Sequence, residues 1–137
     1  MSSDITHFLN VDLELVSDGS IEPLLDHWSA EVAVLRNSVE EGSRTAWLEL
    51  NGQYDSPERV IVDFLKLIDA LPVELEPIWH ACSDRCFNVG IQAGAEPHSS
   101  AFSISSGTLG RIATVRARLE LTVYSKVPLD SSSTQTA

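Results

Sequence analysis

The chain has 137 residues, which fits one domain and is long enough to bury a core without help from a disulfide or a metal. Its formal net charge of −11 argues against nucleic acid and anionic membranes as partners, because both repel an acidic protein. No apolar run reaches the roughly 18 residues of a membrane span, the opening residues lack the basic segment of a secretory signal, and only two cysteines are present. We therefore expect a cytoplasmic protein.

Alternating apolar and polar residues predict five strands, each with one buried face. The predicted strands span residues 7–16, 31–36, 44–51, 87–93 and 117–125. The alternating apolar residues of each strand are expected to face the core. These residues include Leu9 in the first strand and Leu121 and Val123 in the last. Residues 37–43 are predicted to form a polar connection between the second and third strands.

Four helices are predicted between these strands, from apolar residues at helical spacing. They span residues 21–28, 57–71, 74–82 and 105–115. Ser20 is expected to cap the first helix. Residues 55–58 (Asp-Ser-Pro-Glu) give the clearest helix start, because the serine caps, the proline suits the first helical position and the glutamate complements the helix dipole. In the last helix, Leu109, Ile112 and Ala113 are expected to face inward.

The order of these elements predicts an α+β fold, with a single sheet and helices packed on one face, ferredoxin-like with additions. Residues 1–127 are predicted to form the single α+β domain, and residues 128–137 a disordered C-terminal tail. The second face of the sheet is then left open. The residues expected on it are Asp12, Glu14, Thr45, Trp47, Glu49, Asn88, Gln92, Glu120, Thr122 and Tyr124.

Two histidines and two cysteines lie close together in the sequence: His80, Cys82, Cys86 and His98. Their spacing does not give the two clustered ligand pairs of a structural zinc site, so we predict no metal and no cofactor. Cys82 is expected in the core and Cys86 on the polar face of a strand, both as free thiols. We find no catalytic motif and predict that the protein is not an enzyme. A nucleophilic Cys86 assisted by His80 or His98 is the alternative.

The negative charge is concentrated in one part of the chain. Residues 1–76 contain 16 acidic and 4 basic residues, whereas residues 77–137 contain 4 and 5. An acidic open face that carries an aromatic ring suits a basic protein partner. The hypothetical binding residues on that face are Glu14, Trp47, Glu49, Glu120 and Tyr124. Two alternatives are that the charge serves only solubility, and that Trp47 packs beneath residues 37–43 or the C-terminal tail.

Several hydrophobic landmarks resemble the bacterial family catalogued as domain of unknown function 4279. They are residues 46–50, the capped helix that follows, residues 87–91, residues 102–112 and residues 119–124. Members similar to this chain have a Trp-bearing strand, a long helix, a further strand, and a short helix before a strand that ends in Tyr. The resemblance covers about residues 8–124 and implies no catalytic residues. Some relatives are immunity proteins that neutralise the toxins of competing strains, which implies a toxin as the partner.

These observations together predict a small acidic protein-binding module, such as a bacterial toxin-immunity-like protein whose partner is a basic toxin. The first alternative is a self-associating domain that forms a homodimer through the open face of its sheet. The second is a small enzyme that uses Cys86 with His80 or His98.

Overall fold

Five strands form one mixed sheet in the computed structural model, which describes residues 4–126. The strands are β1 (His7–Ser17), β2 (Val32–Glu40), β3 (Ser43–Leu50), β4 (Asp84–Gln92) and β5 (Arg118–Tyr124). The helices are α1 (Glu22–His27), α2 (Pro57–Asp69), α3 (Glu76–Ala81) and α4 (Ser106–Thr114). The strand order is β2-β3-β1-β4-β5; only the β4–β5 pair is parallel. The α+β class is confirmed, and the predicted tail at residues 128–137 lies outside the described residues.

The core lies between one face of this sheet and the four helices. Helix α2 supplies its centre, since its apolar residues cover a wide arc and the fully buried Phe64 ring lies 5.8 Å from the Phe87 ring of β4. The residues that β1, β3 and β4 contribute alternate along each strand and share this face: Val11, Leu13, Leu15, Ala46, Leu48, Leu50, Phe87, Val89 and Ile91.

The local signals for helix starts differ in strength. At α2 the prediction is confirmed: the Ser56 hydroxyl accepts a hydrogen bond from the Arg59 N–H at 3.3 Å, and proline occupies the first turn. At α1 the prediction that Ser20 is the cap is wrong. Ile21 occupies the cap position, and the Ser20 hydroxyl accepts only a long bond of 3.4 Å from the Glu22 N–H. The serine lies one residue too early to cap.

The prediction that residues 37–43 form a polar connection is wrong. Strand β2 continues through it to Glu40 and returns through a tight turn, so that Glu40 pairs with Ser43. Glu41 and Gly42 form the turn with φ of 52° and 85°, the left-handed conformations that a two-residue hairpin requires. Backbone pairing with β3 therefore outweighs the polar composition.

A register shift in β1 and the edge position of β5 overturn predictions of inward-facing residues. The register of β1 shifts between Phe8 and Asn10, so Phe8 packs on the core while Leu9 is 43% exposed. Leu121 and Val123 lie on the helix side of the sheet, but β5 is its outermost strand. They are 62% and 60% exposed, because no described helix reaches over them.

Of the three α4 residues predicted to face inward, the prediction is confirmed for Ile112 and wrong for Leu109 and Ala113. Leu109 is 45% exposed and Ala113 is exposed, while Thr108 and Ile112 are buried. Thr108 is buried without penalty because its hydroxyl donates a 2.7 Å hydrogen bond to Glu58 Oε2 at the start of α2. This polar contact fixes the rotation of α4.

Glu58 joins the first turns of α2 and α4. It accepts bonds from the Ser105 N–H at 2.7 Å, from the Ser105 hydroxyl at 2.9 Å and from the Thr108 hydroxyl. These bonds, led by that of the Ser105 N–H, lower the pKa of the carboxyl below its ordinary value.

Glu58→Gln should lower the free energy of unfolding by about 1 kcal/mol at neutral pH, since an amide offers only one accepting oxygen. The stability contributed by a carboxylate with a lowered pKa is present above its unfolded value of 4.5 and is lost as the pH falls through the folded value. Urea denaturation should therefore show the deficit at neutral pH and a smaller one in acid. An exposed control, Glu74→Gln, should show neither effect; an equal deficit at both pH values would contradict the assignment.

Candidate functional site

The face of the sheet opposite the helices, called here the open face, has no described helix packed on it. Strand register assigns its side chains, because directly paired residues share a face. All five residues predicted for binding lie on it: Glu14, Trp47, Glu49, Glu120 and Tyr124. Asn10 and Arg118 also lie there. Alternation with Asp12 and with Glu120 predicts this position for both, although neither is among the predicted binding residues.

Three carboxylates from β1 and β3 form the centre of this face: Asp12, Glu14 and Glu49, called here the carboxylate cluster. Asp12 pairs with Glu49 across the strands. Asn10 Nδ2 donates to Asp12 Oδ1 at 3.1 Å and to Glu49 Oε2 at 2.6 Å, and Asn88 Nδ2 donates to Glu14 Oε2 at 3.0 Å. Among residues 4–126, none of the ion pairs includes a member of the cluster. Neutral amides hold these charges in place without neutralising them.

The cluster changes the acidity of its central member. Burial, followed by the charges of Glu49 and Glu14, raises the pKa of Asp12 to about 6. A carboxyl with this pKa is partly protonated just below neutral pH, and a nearby cation would drive it fully to the carboxylate. The centre of the open face is therefore a region of negative charge that a cation would stabilise.

Trp47 lies beside the cluster, paired with Glu14, and is partly buried. The Arg36 guanidinium carbon lies 5.0 Å from the centroid of its ring, within cation–π distance. The alternative that Trp47 packs beneath a connection at residues 37–43 is wrong, because those residues belong to the β2–β3 hairpin. The alternative that involves the C-terminal tail falls outside the described residues.

Glu120 and Tyr124 lie on β5 at the far side of the face. Unlike the cluster members, Glu120 has an ionic partner: Arg118 donates to it at 2.7 Å and also binds Asp84 through two bonds of 2.9 Å. Tyr124 is 53% exposed and borders a hollow of about 610 Å³ that Asp12 also lines. The two predicted residues of β5 thus lie at the rim of the site, and the unneutralised charge lies nearer Trp47.

Cys86 lies on the open face, but it is fully buried there rather than at an exposed polar position. Its strand partners are Glu14 and Arg118, and its Sγ lies 4.0 Å from Glu120 Oε1. Burial raises the pKa of the Cys86 thiol to about 12, against a lowering by Arg118. His80 lies on α3, on the other side of the sheet. The arrangement of a thiolate with His80 as its base is therefore not formed.

The described residues contain no group of three His, Cys, Asp or Glu side chains placed to hold a metal ion. Across residues 4–126, no helix has the length and apolar character needed to cross a membrane. No protein-family model, curated protein or solved structure matches the chain. The resemblance drawn from the sequence stays a prediction.

Proposed function

We propose that this protein is a cytoplasmic binding module that holds a basic protein partner on the open face of its sheet. The carboxylate cluster carries the proposal, because its three acidic groups are ordered by amides and no cation within residues 4–126 neutralises them. An arginine or lysine of a partner would supply the missing charge. Acidic and basic surfaces of this kind also attract one another before contact, which accelerates binding.

Trp47 adds an apolar anchor at the edge of the cluster. Tryptophan is enriched among the interface residues that contribute most to affinity, and a charged pair gains strength where an adjacent ring excludes water. The Arg36 guanidinium lies against the ring at 5.0 Å, which restricts the ring before a partner arrives. An ordered anchor loses little conformational freedom on binding.

We also propose the finer assignments of fold and partner. The antiparallel order β2-β3-β1-β4 and the succession β1-α1-β2-β3-α2-β4 support a ferredoxin-like arrangement, to which α3, α4 and β5 are additions. The resemblance to the family of domain of unknown function 4279, some relatives of which are immunity proteins, supports a basic toxin as the partner. The same cluster weighs against a homodimer formed face to face, since two copies would bring like charges together.

A capture experiment tests the proposal on the full chain. The tagged protein is incubated with lysate of its own organism, the bound proteins are eluted with rising salt, and the eluate is identified by mass spectrometry. One stoichiometric basic protein, released by salt, is the expected result. If no basic protein is retained at low salt, the proposal is wrong.

A triple variant locates the contact. Asp12→Asn, Glu14→Gln and Glu49→Gln together should weaken capture of that partner by at least about tenfold and reduce its dependence on salt. The matched control removes the same charge from exposed positions elsewhere, with Asp26→Asn, Glu31→Gln and Glu74→Gln. The control should retain wild-type affinity in a binding titration. Equal weakening in both variants would assign the effect to net charge instead.

A further inference from the structure

Strand β5 exposes an outer edge that nothing in residues 4–126 pairs with. Its inner edge pairs with β4 in one unbroken register from Arg118 to Tyr124. On the helix side, Leu121 and Val123 are 62% and 60% exposed. A regular edge strand with exposed apolar residues is a ready template for another strand.

The opposite edge of the sheet has protection that β5 lacks. Strand β2 contains a bulge between Val34 and Arg36, and an Arg36–Glu40 ion pair lies along it. Bulges and charged side chains are the features that prevent strands from adding to an edge. Strand β5 has no bulge, no lysine and no proline within its seven residues. Its two charged side chains, Arg118 and Glu120, both lie on the open face, away from the exposed leucine and valine.

We propose that two copies of this chain pair through β5 in antiparallel orientation, with Leu121 opposite Leu121 of the partner subunit. The two five-stranded sheets then form one continuous sheet. This pairing leaves the carboxylate cluster free, because the exposed leucine and valine lie on the helix side and the cluster lies on the open face. It shares only the rim residues Glu120 and Tyr124 with the proposed binding site.

The sequence of β5 is self-complementary about Leu121. In this register Leu119 lies opposite the partner's Val123, so that apolar pairs on the helix side become mutually covered. Glu120 lies opposite the partner's Thr122, and Arg118 lies opposite the partner's Tyr124, whose ring suits a cation. All seven residues are paired, and no like charges are opposed.

The neighbouring registers are less favourable. Centring the pair on Glu120 places this carboxylate against Glu120 of the partner subunit. Centring it on Thr122 places Arg118 opposite the partner's Lys126, which again opposes like charges. Centring it on Leu119 or Val123 shortens the overlap of the two strands. Charge and overlap together therefore select Leu121 as the centre.

Light scattering of the full-length protein tests the association. The wild-type protein should have about twice the 15.0 kDa mass of one chain, and Leu121→Lys should be a monomer, since it places two charges at the centre of the pair. Val39→Lys, at a 61% exposed position on β2, is the matched control and should remain a dimer. A monomeric wild type would overturn the proposal. Loss of the dimer only in Val39→Lys would also overturn it.

Oxidative cross-linking tests the register. Opposed strand residues have Cα separations within the range of a disulfide, so Leu121→Cys should cross-link the two copies, whereas Leu119→Cys should not. The native thiols do not compete, because Cys82 and Cys86 are both buried. Cross-linking through residue 119 in preference to residue 121 would overturn the register.

Discussion

Replacing Phe64 with alanine should lower the free energy of unfolding by about 3–5 kcal/mol. Phe64 is fully buried at the centre of α2, and its ring packs against Phe87 at 5.8 Å with an interplanar angle of 51°. The substitution removes the contact between the longest helix and a central strand and leaves a cavity that the rigid sheet cannot collapse to fill.

Urea denaturation followed by circular dichroism measures this loss. A loss of this size is a large share of the stability of an ordinary domain, so Phe64→Ala could fail to fold. Phe64→Leu is therefore a second variant, which retains most of the side-chain volume and should lose markedly less stability. Phe102→Ala removes the same ring from a position that is 38% exposed and should cost little. A loss below about 1 kcal/mol for Phe64→Ala would show that α2 is not central to the core.

Asp12→Asn should stabilise the protein, and increasingly so as the pH rises. The folded pKa of about 6 lies above the ordinary value of 3.8, so folding favours the protonated carboxyl. The stability that this group contributes is complete below 3.8 and is lost as the pH rises through about 6. Asparagine remains neutral and can still accept the hydrogen bond from Asn10. The variant should gain about 1–2 kcal/mol above neutral pH, after allowance for solvent screening of a partly buried group.

The informative quantity is the difference between variant and wild type, measured by denaturation across the pH range from about 4 to 8. This difference should be small in acid and should increase as the pH rises through the pKa of Asp12. The exposed Asp26→Asn is the control for net charge and should give a difference that does not change in this way. If the stability gain of Asp12→Asn did not change with pH, ionisation of Asp12 would not be its cause.

Sequence patterns predicted the features that depend on neighbouring residues. The start of α2 is encoded within residues 56–59, and alternation alone gave the five strands and the composition of the open face. Two of the errors concern position within the sheet. Alternation marks Leu121 as apolar and inward whether its strand is central or outermost, and it cannot show that Cys86 is buried on the open face.

For the candidate site, the sequence likewise predicted which residues share a face but not which charges have an ionic partner. The five binding residues share a face because the side-chain period of a strand is two. Which of their charges lie beside a cation depends mostly on strand order, which the sequence did not supply. Arg118 binds Glu120 within β5 and reaches Asp84 because β5 lies beside β4, whereas Asp12 lies between β3 and β4 with Asn10 as its donor.

The placement of β1 at the middle of the sheet has a consequence for synthesis. β1 is made first, yet it pairs with β3 and then with β4, whereas the β2–β3 hairpin closes within a short stretch of chain. On the ribosome β1 must therefore wait for its second partner until Gln92 has emerged. Asp12 and Glu14 alternate with its leucines, and charges interspersed in this way keep an unpaired strand from joining others of its kind. The acidic residues that crowd one another in the finished sheet also protect the nascent chain.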